Sequence, residues 1–328
     1  MVEIESESDL ADLLHEAQER DEPVLVLGRG SNLVVGDAGF PGAVARMAIR
    51  GIEATRQGDH VVVDVAAGED WDELVGRAAD EGWSGIECMS GIPGLVGATP
   101  IQNVGAYGQD VSDTLVSVRA YDRATGAFEA LPAAECGFGY RASIFKRSDR
   151  WIVTSVRFAF RASRDAAPVR YEELARALSL AAQGRAPVRL VRQAVIRLRR
   201  SKGMVLDAGD PESVSAGSFF VNPLVSAETL EEVSRRAGAR AAAFVESGGR
   251  HKLAAAWLVE HAGFPKGWSV GPVGVSRKHA LALVNRGGAT ARDLLRAARR
   301  IRDGVRDRFG IVLEPEPVLV GCSLDADP

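Results

Sequence analysis

Positions 91–108, GIPGLVGATPIQNVGAYG, hold five glycines and two prolines in eighteen residues. That density interrupts both helix and ladder, so the run reads as a loop. Its other members are mostly apolar, which argues against a solvated linker. Two readings stand on the residues alone. In one, glycines let the main chain pass close to a ligand and turn successive N–H donors toward an anion, with no basic side chain needed. In the other, the run is a chain of turns between strands. Gln102, Asn103 and Tyr107 add polar groups to the segment. The Lys-Ser/Thr end of a P-loop is missing, so a nucleoside-triphosphate cradle is not expected.

Strand signals surround this loop. HVVVDVAAG (60–68) and WIVTSVRFAF (151–160) alternate like half-buried strands, and 116–131 reads as a hairpin around Ala124-Thr125-Gly126. PVLVLGRGSNLVV reads as strand, glycine turn and strand. Helices are expected over 9–17 with Ser8 as N-cap, over 171–182, and along VRLVRQAVIRLRR, where Val188, Val191, Val195 and Leu198 form one stripe. Further on, 227–237 and 252–262 read as helices, HALALVN (279–285) as a buried strand, and Thr290 with Asp293 as the capping box of a last helix. GIVLEPEPVLVG is a final strand interrupted by prolines, suited to an edge or to leaving one domain for another.

A chain of 328 residues, 46% hydrophobic and 26% charged, is long enough for two or three domains. Its net charge of −4 predicts no nucleic-acid partner and no anionic membrane. The N-terminus is acidic and polar, and no apolar run reaches membrane-spanning length, so a cytoplasmic location is expected. Three cysteines without CxxC spacing suggest neither a disulfide framework nor zinc. His60, His251 and His279 are isolated, and no metal is expected.

GRGSN (28–32) lacks the third glycine and the following helix of a dinucleotide fingerprint, which excludes a Rossmann reading. A hairpin turn or a ligand loop, with Ser31 and Asn32 offering hydrogen bonds, remains. Ser218 in AGSFFVNP is not in a nucleophile elbow and reads as structural until a partner is found. Arg141 and Lys146 in YRASIFK fit a snorkelling surface strand, and Glu314 and Glu316 share a strand face. The basic run from Arg185 through Arg192, Arg199 and Lys202 reads as a solvated helix face whose end could reach phosphates.

In order and spacing, GRGSNLVV, GIPGLVGATPIQNVGAYG, YRASIFK, GSFFVNP and LEPE resemble the UDP-N-acetylenolpyruvoylglucosamine reductase family, across positions 28 to 316. The resemblance implies an α+β chain with a vanillyl-alcohol-oxidase-like FAD-binding fold and an additional α+β substrate-binding domain. Residues 1–58 plus 310–328 would form the first FAD-binding subdomain, 59–202 the second, and 203–309 the substrate domain. PVRYEEL resembles the subgroup whose Tyr segment covers the substrate. The implied activity is FAD-dependent reduction of UDP-N-acetylglucosamine-enolpyruvate, with NADPH as co-substrate, in peptidoglycan precursor synthesis. A monomer is expected rather than an oligomer.

Carried over by position, Arg141, Ser218 and Glu316 match the family's catalytic residues. Gly28, Gly30, Ser31, Asn32, Gly91, Ile92, Pro93, Gly94, Gly97, Gln102, Asn103, Gly105, Ala106, Tyr107 and Arg199 match its FAD contacts. Tyr171, Lys202, Asn222 and His279 match positions that meet the UDP-sugar. The chain departs from the pattern in three places. It begins almost at its first helix, where the family has a preceding Thr-containing strand, so part of the first FAD-domain strand is expected to be missing. Val221 stands where Lys is common, and Pro317-Val318 where Val-Arg is common.

Overall fold

Alternating valines at 61, 63 and 65 are all buried, and they set one face of the sheet around which the first half of the chain is built. In a computed structural model that describes residues 1–181 and 183–325, the chain divides into two compact units, 1–30 with 41–200 and 31–40 with 201–328. Position 182 of the expected helix and positions 326–328 of the expected first subdomain lie outside the described residues.

Two larger sheets organise the first unit, beside a two-stranded one that pairs Gly105–Ala106 with Gln109–Asp110. Strands Val2–Ile4, Ala43–Met47 and Val24–Leu27 lie parallel in that order. Helix α1, Glu7–Glu19, puts Leu10, Leu13 and Leu14 into a cluster with Ile4, Ala45 and Met47. Its N-cap is Ser6 and not Ser8, because Ser6 and Asp9 close a reciprocal capping box at the earlier position. The larger sheet is antiparallel, in the order Ala127–Pro132, Leu115–Asp122, Trp151–Ala162, His60–Ala66, Ile52–Gln57. Helix α2, Trp71–Glu81, starts on the Asp70 carboxylate and stops at left-handed Gly82. It packs Trp71, Leu74, Val75 and Ala78 with Val61, Val63, Phe158 and Phe160. Each large side chain so buried contributes about 1.5–3 kcal/mol.

The 116–131 hairpin forms as expected, and Arg150 locks it by gripping both oxygens of fully buried Asp122 at 2.8 and 2.6 Å. Arg150 holds the Asp122 carboxyl down at about 2. A carboxylate lowered on folding stabilises above its unfolded value, about 3.9, and that gain disappears as pH falls through the folded value. The melting-temperature gap between wild type and Arg150→Met is therefore expected to be constant above about pH 5 and to shrink between about pH 4 and 2. A gap independent of pH would refute the pairing.

Helix α3 spans only Glu172–Ala177, shorter than the expected 171–182, because Ser179 takes a left-handed conformation just beyond its C-cap, Leu178. Helix α4, Val188–Ser201, buries Val188, Val191 and Val195 on the expected stripe, with Ala194 beside them.

In the second unit, helices α5 (Ala227–Ala237), α6 (Ala255–His261) and α7 (Ala291–Phe309) surround a core that includes Phe219, Phe220, Leu258, Val275, Ile301 and Val305. The expected helix 252–262 begins only at Ala255, since His251–Leu253 is the central strand of a three-stranded sheet. In HALALVN only Leu283–Asn285 is a strand, although Ala280 to Val284 are all buried. Helix α7 starts on the predicted Thr290–Asp293 box, and Asp37 adds its carboxylate to the N–H groups of Ala291 and Arg292, at 2.7 and 3.1 Å.

The strands flanking GRGSN do not pair with each other, which removes the hairpin reading. Val24–Leu27 joins the first unit's parallel sheet, while Leu33–Val35 pairs in parallel with Val318–Val320, the last strand of the chain. Among the described residues no helix is long and apolar enough to cross a membrane.

Candidate active site

The glycine-rich loop is shaped by contacts on three sides, all within the first unit. Leu95 bridges to Asp70, and the N–H of Trp71 donates to the Gly94 carbonyl at 3.1 Å, so the start of α2 fixes 94–96. Gly97 lies against Ala67, where a Cβ would come within 2.5 Å of the Ala67 Cβ. Asn103 and Tyr107 adopt left-handed φ of +44° and +49°, which costs about 1 kcal/mol or more each. Such conformations persist only where neighbours enforce them.

Arg141 is one such neighbour. It too is left-handed, at +50°, and its guanidinium donates to the carbonyls of Asn103 and Gly105, at 3.2 and 2.6 Å. The Asn103 side chain donates to the Gly139 carbonyl at 3.1 Å, and Lys146 donates to the Arg141 carbonyl at 2.7 Å. The snorkelling-strand reading of YRASIFK is therefore replaced. The segment is a loop, and the Arg141 side chain, 18% exposed, grips the glycine-rich run. Asp110 lies 3.5 Å from the same guanidinium.

Tyr107 meets Tyr171 edge to face, with ring centroids 5.2 Å apart. Burial pushes the Tyr107 phenol up to about 12, against the pull of nearby Arg199. Burial likewise lowers the proton affinity of Arg199, with Tyr107 and Asp72 opposing. A buried guanidinium beside a tyrosine and a carboxylate differs from the solvated helix face that the basic run suggests. Arg192 departs from it also, since it forks onto both oxygens of Asp72 at 2.5 and 3.0 Å. Burial alone would raise the Asp72 carboxyl, but the Arg192 fork and the Gly91 N–H outweigh it and hold it low. Arg189, in contrast, is exposed on that helix.

The residues present fit an anionic dinucleotide such as FAD. Neither 91–108 nor 28–32 carries an acidic side chain. Gly30, Gly91, Gly94 and Gly108 have φ of +68°, +72°, +134° and +86°, conformations that aim main-chain groups in directions side-chain-bearing residues rarely adopt. The run 91–107, with Ile92, Pro93, Gln102 and Ala106, lies wholly in the first unit.

The second unit brings together residues far apart in sequence by backbone pairing. Phe219 donates its N–H to the Leu281 carbonyl, and Ser218 bridges to Ala282, on one side of GSFFVNP. On the other side Val221 donates to the Glu314 carbonyl at 3.0 Å, and Glu316 donates to the Phe219 carbonyl at 2.9 Å. Ser218 and Glu316 thus sit on adjoining chains, and the segment that follows His279 forms the third. Asn32 supports the same place. Its side-chain amide donates to the Glu316 carbonyl at 3.3 Å, and its own carbonyl accepts the Val318 N–H at 3.0 Å. Ser31 precedes it in this unit.

Asn222 uses its side-chain oxygen to accept the Ala255 N–H at 2.9 Å, at the start of α6. The Nδ1 of His279 accepts the Leu281 N–H at 3.1 Å. Lys202 follows α4 at the entry to this unit, half-buried. Of the catalytic candidates, Arg141 belongs to the first unit, and Ser218 and Glu316 to the second.

Sequence reasoning missed two carboxylates. Asp72 passes for an ordinary acid in the first turn of a helix, and Glu87 for a loop acid, yet Glu87 is 1% exposed. An acid among apolar neighbours in GIECMSGIPG was the one signal available for Glu87.

Comparison with known proteins agrees with this arrangement. A family model described as FAD binding domain matches residues 1–131, and one described as UDP-N-acetylenolpyruvoylglucosamine reductase, C-terminal domain, matches residues 210–320. The chain is 51% identical to the UDP-N-acetylenolpyruvoylglucosamine reductase of Thermobifida fusca, covering 98% of this chain and 92% of that protein. It is 52% identical to the one from Salinispora arenicola, over 97% and 90%. The crystal structure of the Thermus caldophilus enzyme superposes with a TM-score of 0.65 at 28% identity, over 97% of this chain and 91% of that one. With likeness on this scale along nearly its whole length, the chain belongs to the UDP-N-acetylenolpyruvoylglucosamine reductase family.

Proposed function

We propose that this chain reduces UDP-N-acetylglucosamine-enolpyruvate to UDP-N-acetylmuramate with electrons from NADPH, as a monomeric cytoplasmic enzyme of peptidoglycan precursor synthesis. The observation that carries the reading is the pairing of GSFFVNP with LEPE, which sets Ser218 and Glu316 on adjoining chains in a fold matched to FAD. When bound, FAD supplies the hydride that reaches the substrate's methylene carbon.

The neighbouring carbon then carries negative charge delocalised into its carboxylate. Arg141, a planar and permanently charged fork, lowers the barrier by stabilising that charge. The Ser218 hydroxyl is a weak acid, and it delivers its proton because a carbanionic centre is a strong base. Glu316 holds the substrate or a water in place for that transfer. Lys202 suits the diphosphate as a compact cation, and Tyr171, Asn222 and His279 contact the UDP-sugar. The turn 28–32, the main chain of 91–107 and Arg199 hold FAD. Residues 1–58 with 310–328, and 59–202, make up the two FAD-binding subdomains, and 203–309 takes the substrate.

Anaerobic titration tests this reading. Protein loaded with FAD absorbs near about 450 nm, and NADPH is expected to bleach that band. Colour should return only when UDP-N-acetylglucosamine-enolpyruvate is added. Recovery with any UDP-sugar lacking the enolpyruvyl group, or no FAD binding at all, would overturn it.

A further inference from the structure

A loop with five glycines is costly to order, because each residue fixed on binding loses backbone freedom and glycine loses the most. Affinity for a ligand along such a loop depends on how much of that ordering is complete beforehand. The glycine-rich run has no charged side chain of its own. Its two ends are nevertheless held, and in both cases by a carboxylate that lies outside it.

At the entry, Asp72 Oδ1 accepts the Gly91 N–H at 2.6 Å while Arg192 grips the same carboxylate from α4. At the exit, Gln109 directly follows Gly108. Its side-chain amide donates to Glu87 Oε1 at 3.0 Å, and its side-chain oxygen accepts the Cys88 N–H at 2.8 Å. Glu87 Oε2 takes the Gly85 N–H at 2.7 Å. Each carboxylate faces donors inside the protein. Asp72 is neutralised by a guanidinium, and Glu87 is hydrogen-bonded at both oxygens, so neither opposes an anion on the loop's far side.

We propose that Asp72 and Glu87 are positioning residues for FAD, clamping the two ends of loop 91–108 so that its main-chain donors are aligned before the cofactor arrives. This rests on the reading of that loop as the FAD loop. The clamps act through the loop and touch no reacting atom.

The hydrogen-bond polarity at the exit allows a rescue experiment. Glu87→Gln sets an amide donor against one of two existing donors, the Gly85 N–H or the Gln109 amide. Adding Gln109→Glu restores the match. The amide introduced at position 87 can then donate to the carboxylate introduced at position 109 and still accept from Gly85. FAD dissociation constants are measured by flavin-fluorescence titration, at a temperature where circular dichroism shows every variant folded. Glu87→Gln and Asp72→Ala are each expected to weaken FAD binding about tenfold or more. Glu87→Gln/Gln109→Glu should return to within about threefold of wild type.

Variants that lose thermal stability but bind FAD like wild type would overturn the proposal, leaving both carboxylates a purely structural role. Weakening by Glu87→Gln without rescue by the double variant would overturn the exit clamp. If wild type itself fails to bind FAD, the assignment of the loop falls, and the clamps fall with it.

Discussion

Ser218→Ala is expected to leave reduction of bound FAD by NADPH near its normal rate and to slow reoxidation by substrate about 10²–10³-fold, the usual cost of removing one donor to a developing charge. The substitution removes a single oxygen from a segment whose place is set by its backbone, between Leu281 and Ala282 on one side and Glu314 and Glu316 on the other. No ladder bond depends on the hydroxyl, so the segment should keep its place and the substrate its affinity. The first half-reaction involves no proton delivery to carbon, which is why it is spared. Anaerobic stopped-flow absorbance follows the two halves separately. Equal slowing of both would point to a disturbed fold, and no slowing of either would remove Ser218 from the chemistry.

Gly97→Val should yield protein with little bound flavin. The Cβ alone would lie 2.5 Å from the Ala67 Cβ and 3.0 Å from its Cα. Ala67 cannot retreat, because it is fully buried and its N–H is tied to the Thr154 carbonyl of the central strand. The loop must therefore lift, and it would lose the Gly97 N–H bond to the Ala67 carbonyl. Overpacking of this kind costs about 3 kcal/mol, and a loop displaced by that strain should bind FAD about 100-fold more weakly. Gly139→Ala is the control, since its Cβ would meet only the Ala142 Cβ, at 3.8 Å. The ratio of flavin absorbance to protein absorbance, with thermal melts of both variants, reads the outcome. A Gly97→Val protein as yellow as wild type would show that the loop does not hold the cofactor.

Much of this molecule is local and so could be read in one dimension. The buried valines at 61, 63 and 65, the stripe along α4 and the Thr290–Asp293 box are each set by residues a few positions apart, where period and capping chemistry speak directly. The order of five motifs was legible too, because each keeps its residue types in one short segment. Where local signals compete, the structure chose. Ser6 and Ser8 both precede an apolar stripe, and only the reciprocal partner, Asp9, decides between them.

What the tertiary structure alone decided is which distant segments share an edge and which charges leave water. Nothing in GRGSN says that the strand after it pairs with the last strand of the chain, or that Asn32 reaches the Glu316 carbonyl. A backbone edge is chemically the same wherever it occurs, so pairing depends on the packing of whole faces. In the same way Asp72, Arg192 and Arg199 look like members of solvated helix faces until folding half-buries the first two and buries the third. An ion or carboxylate in that position must find a partner, and only the folded chain determines that Asp72 meets Arg192 and Gly91, while Glu87 meets Gln109.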